Sequence, residues 1–124
     1  QTVDARFYPD NADTLAHLST RGNRFTLSRP HAQLHGLVSS DQGVAPRLTQ
    51  LEVKATTGHF PCVEVHSPTA LAHQIVTVLA ATSGPDSPSP TLKIAQTGKR
   101  WDIAAGHTSI QLTPTPFAPR INLV

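Results

Sequence analysis

Seven histidines in a chain of 124 residues bring imidazole chemistry forward first, because imidazole is a common metal ligand and titrates near neutrality. A metal site needs its ligands at a defined spacing. His31-x-x-x-His35 would set two rings on one helical face, but the glutamate of an HExxH pattern is missing and Gly36 opposes a helix there. His66 and His73 could converge with His59 and Glu64, although spacing alone does not join them. In His66-Ser67-Pro68, a helix N-terminus could stabilise a phosphoryl group on the ring, yet no arginine stands between His66 and Pro68. The expectation is scattered surface histidines, with no metal and no cofactor.

Nucleophiles fare no better. Cys62 is the single cysteine, so it makes no internal disulfide, and its place inside a strand pattern reads as a small buried apolar residue. There is no G-x-S-x-G elbow, and Gly98-Lys99 lacks the glycine spacing of a phosphate loop. Glu52 and Glu64 fall at outward positions, where solvation is the expected state. No catalytic residue is assigned, and the reading favours a chain that is not an enzyme.

Charge is distributed unevenly. Between Asp13 and Asp41 no acid occurs, while Arg21, Arg24, Arg29, His17, His31 and His35 all fall there. Arg21, Arg24 and Arg29 are therefore candidate anion-binding residues. Three arginines, with Phe25 turned inward and no aromatic residue interleaved on the same face, make a small footprint for nucleic acid, which is not the expected partner.

The elements that must position these groups follow from composition and period. Hydrophobic residues make up 38% and charged residues 15%, with 11 prolines and a net charge of +2, which fits one foldable domain with long irregular connections. No apolar run approaches the roughly 18 residues of a membrane span. A chain that opens on Gln1 and contains no Met reads as a processed product or an excised module, which favours an exported, envelope or virion-like setting.

Residues 1–12 read as an extended arm carrying Val3, Phe7 and Tyr8, followed by a helical turn over 14–19 capped by Asp13. Strands are expected over 24–28, 31–38, 48–55 and 60–66, the last two as a hairpin. Ser67 as cap, Pro68 at the first helical position and a stripe of Leu71, Ile75, Val78 and Leu79 predict a long helix over 67–82. The proline-rich stretch 83–90 is a loop, and Leu92, Ile94, Trp101, Ile103, Ile110 and Leu112 mark a three-stranded meander. Residues 113–124 read as a second arm, proline-rich and then apolar.

The fold expected is α+β: a single domain over 13–112, mainly an antiparallel sheet of about six short strands packed on one long helix, with arms at both ends. The function expected is non-catalytic, a protein–protein interaction or assembly domain whose partner is another protein or copies of itself. Phe7, Tyr8, Trp101, Phe117, Ile121 and Leu123 are its candidate interface. A small histidine-centred enzyme or metal-binding domain and a polyanion-binding module are the alternatives.

Overall fold

Extended chain, whose successive side chains point to opposite faces, is the regular structure of the described residues. The computed structural model describes residues 1–51, 60–84, 86–115 and 120–124. Within them the chain forms β1 (Val3–Phe7), β2 (His17–Arg21), β3 (Arg24–Arg29), β4 (Ala32–Ser40), β5 (Arg47–Leu51), β6 (Phe60–Ser67), β7 (Ile75–Ser83), β8 (Leu92–Thr97), β9 (Arg100–Ala105), β10 (Thr108–Thr113) and β11 (Arg120–Leu123). These build three antiparallel sheets, ordered β1-β6-β5, β2-β3-β4-β7 and β11-β10-β9-β8.

The second sheet lies between the other two. On one face, Phe25 and Val38 pack with Val63 and Val65 of β6, joined by Ala5, Phe7, Leu18 and Ile75. Phe7 stacks on Phe25 with ring centroids 5.2 Å apart. On the other face, Arg24 donates to the Leu92 carbonyl at 2.8 Å, and β4 and β7 meet β8 and β9. There Trp101, fully buried, donates from Nε1 to Gln74 Oε1 at 3.1 Å, just ahead of β7.

The fold is thus all-β, and the α+β expectation is overturned: no helix occurs among the described residues. The predicted helix over 67–82 is instead the end of β6, a connecting segment and β7. Leu71, the first residue of the supposed buried stripe, is fully exposed. The remaining apolar positions serve a strand that is half-buried on both faces, with Ile75 and Thr77 turned one way and Val76 and Val78 the other. A run apolar on both sides carries no clear period, and the β-branched series Ile75-Val76-Thr77-Val78 then favours the extended chain.

The helical turn expected after Asp13 is also absent, since Thr14 has φ 62°, the left-handed region that a right-handed helix does not visit. The N-terminal segment read as an arm is β1, paired along β6, with Ala5 and Phe7 in the core. The C-terminal segment supplies β11, which extends the expected 92–112 meander by one strand. The outer part of the expected 48–55 strand, including Glu52, lies outside the described residues.

Close packing between the first two sheets depends on Gly36. It lies opposite Phe25 in the β3–β4 register, and a Cβ there would overlap Cζ, Cε1 and Cδ1 of the Phe25 ring. Gly36→Ala is therefore expected to lower the unfolding free energy by about 1–3 kcal/mol in urea denaturation. Adding Phe25→Leu to the same chain should give a combined loss smaller than the sum of the two single losses.

Candidate functional site

Three places on this frame bring chemically distinctive side chains together. The first is the outer face of sheet β1-β6-β5, where Asp4 and Arg6, then Cys62, Glu64 and His66, then Arg47 and Thr49 line a groove of about 500 Å³. Register explains the grouping, because Arg6 and Arg47 both stand opposite Glu64, and Asp4 stands opposite His66. Arg6 Nε donates to Glu64 Oε2 at 2.8 Å and Arg47 Nη2 to Glu64 Oε1 at 2.6 Å. His66 Nδ1 lies 2.6 Å from Asp4 Oδ1.

Glu64 is 7% exposed, so it is buried at an outward position rather than solvated. The Arg47 and Arg6 guanidiniums hold its carboxyl below the ordinary glutamate range, against the opposing effect of desolvation. Burial pushes the Cys62 thiol up, with Arg6 acting against it, which is the wrong direction for a thiolate nucleophile. The groove is a self-compensated ion network joining the three strands.

The second place is a cleft of about 300 Å³ on the face of β2-β3-β4-β7 opposite the Phe25 core. Arg21, Arg24, Thr26 and His35 line it from the sheet, and Ser89, Pro90 and Leu92 from the other side. His35 is buried, with Nε2 3.4 Å from Thr82 Oγ1. Gly22 at φ 58° makes the tight β2–β3 turn and sets Arg21 directly across from Arg24. Arg29 does not join them. It sits at the far end of β3, paired with Asp13 and donating to the Asp10 carbonyl.

The third place is the open end of sheet β11-β10-β9-β8. One face carries Leu92, Trp101, Ile103, Ile110, Leu112, Ile121 and Leu123 in register. Leu92, Trp101 and Ile103 are buried under β4 and β7, Ile110 and Leu112 are half-buried, and Ile121 and Leu123 on the edge strand are 60% and 79% exposed.

The candidate interface residues are thereby divided. Phe7 and Trp101 belong to the core, Tyr8 is exposed at the end of β1, Ile121 and Leu123 share one face of β11, and Phe117 lies outside the described residues. Among the described residues no three histidine, cysteine or acidic side chains gather as metal ligands, and His59 lies outside them. His31 sits in the β3–β4 turn, apart from His35 within β4. His73 accepts from Ser67 Oγ when neutral and donates from Nε2 to the Gln1 carbonyl, fastening the N-terminus. Ser67 ends β6, so no helix start exists beside His66. The ion network leaves only a local trace in the sequence, the alternation of Asp4 with Arg6 and of Glu64 with His66.

No protein-family model, curated protein or solved structure matches the chain. Among the described residues no helix is long and apolar enough to cross a membrane.

Because the folded state lowers the Glu64 pKa, its contribution to stability is present above the ordinary value near 4.5 and is lost as pH falls through the folded value. Asp13, lowered chiefly by its hydrogen bond from Arg29, acts with the same sign. In chemical denaturation across pH 2–5, Glu64→Gln is expected to flatten the acid loss of stability relative to the parent, leaving the slope that Asp13 supplies. An unchanged slope would show that the network contributes nothing.

Proposed function

We propose that this domain is a non-catalytic interaction module that associates by strand addition at the edge of β11 that is unpaired among the described residues, its occupant a second copy of the chain. The observation that carries this reading is the apolar stripe that leaves the core through Ile110 and Leu112 and ends uncovered at Ile121 and Leu123. A free strand edge offers unpaired backbone donors and acceptors, and edges that remain unpartnered are commonly blunted by charge or proline. Each edge strand of this sheet carries one cation near its start, Lys93 on β8 and Arg120 on β11, and the rest of β11 is uncharged.

Two β11 strands paired antiparallel would set the same stripe against itself, a two-fold contact that closes at the dimer. A four-residue strand and two large side chains make a small interface, so association is expected only at about micromolar concentrations or above. The self-compensated charges of the Glu64 network and the protonated Cys62 thiol agree with a binding role rather than a catalytic one.

Light scattering after size exclusion, run from about 10 μM to 1 mM, tests the reading. The parent should gain mass towards a dimer with concentration, and Ile121→Lys with Leu123→Lys should remain monomeric throughout. A parent that is monomeric over the whole range would discard self-pairing at β11.

A further inference from the structure

We propose that the cleft between the β2–β3 hairpin and residues 89–92 binds a single tetrahedral oxyanion, sulfate or phosphate, through Arg21 and Arg24. The inference is independent of the β11 edge, which lies at the opposite side of the third sheet from β8 and Leu92. It starts from an electrostatic cost. Arg21 and Arg24 are direct cross-strand partners beside the Gly22 turn, where facing residues have Cβ atoms about 5 Å apart and like charges are destabilising. Arg6, Arg29, Arg47 and Arg100 each reach a carboxylate. Among the described residues no carboxylate pairs with Arg21 or Arg24. Among the described residues the one side-chain hydrogen bond of this pair is Arg24 Nη2 to the Leu92 carbonyl at 2.8 Å, which fixes that guanidinium at the cleft wall.

An oxyanion between the two guanidiniums would turn this repulsion into attraction, since the planar donor fork of arginine matches sulfate and phosphate oxygens. The surroundings suit that ligand. Thr26 and Ser89 place hydroxyls on the lining and His35 a ring. The cleft, at about 300 Å³, stands at the lower limit of small-ligand sites, which fits one charged group rather than a large apolar molecule. With two arginines the footprint suits a single anionic group and is too small for a long stretch of nucleic acid backbone.

The test compares thermal unfolding of the parent, Arg21→Gln, Arg24→Lys and the control Arg100→Gln in sodium sulfate, sodium phosphate and sodium chloride at matched ionic strength. Relative to chloride, sulfate or phosphate should raise the melting temperature of the parent and of Arg100→Gln by at least ~2 °C more than that of either cleft variant. In chloride, Arg21→Gln should melt no lower than the parent, because removing one of two facing charges relieves repulsion. Retention on a heparin column, lost in both cleft variants, would point to polymer-borne sulfate. A response to the inorganic ions without such retention would point to a free anion. Equal shifts in the parent and both cleft variants would overturn the proposal, since general exclusion of these salts from protein surface would then explain them.

Discussion

Burial of the β2-β3-β4-β7 sheet on both faces is the constraint on which the rest of this structure depends. Val38 is fully enclosed on one side and Leu37 nearly so on the other, so adjacent residues of β4 face two different packing layers. That arrangement requires a neighbour at each face. The first sheet covers one with Val63 and Val65, and the third covers the other with Leu92 and Trp101. Gly36 is the point where a side chain is given up so that Phe25 can lie flat against β4.

Charged groups are then left to outer faces and rims. Glu64 shows how one is accommodated: its strand places it outward, two arginines from flanking strands close over it, and the carboxylate stays ionised although little of it meets water. Arg29 is neutralised similarly by Asp13. Arg21 and Arg24 have no such compensation among the described residues, and Ile121 and Leu123 have no apolar cover. One electrostatic and one hydrophobic, these are the sites to which binding is assigned, because in each the residues act as a pair on one face.

Legibility in the sequence was uneven, for physical reasons. Hairpins announced by a glycine and a polar residue between alternating segments, as at Gly98-Lys99 and Gly106-His107, were readable because the turn and the alternation are both local. Residues 67–82 carry a helical pattern in sequence because Ser67-Pro68 imitates a helix start and because a strand covered on both faces loses the polar alternation that would reveal it. The third sheet, which covers the second face of this strand, begins only at Leu92, beyond the proline-rich connection. For the site residues, the Arg21 and Arg24 cluster was visible as a charge asymmetry. Separating them from Arg29 needed the β3 register, and bringing Arg6, Arg47 and Glu64 together needed two non-local strand pairings.

Residues 75–83 form a strand hydrogen-bonded to β4, the pairing on which the central sheet depends, and nuclear Overhauser contacts report on it directly. The register predicts long-range backbone contacts linking Val38 to Thr77, Gly36 to Leu79 and Leu34 to Ala81. Sequential i to i+3 contacts running through 67–82, with no contacts to β4, would contradict it.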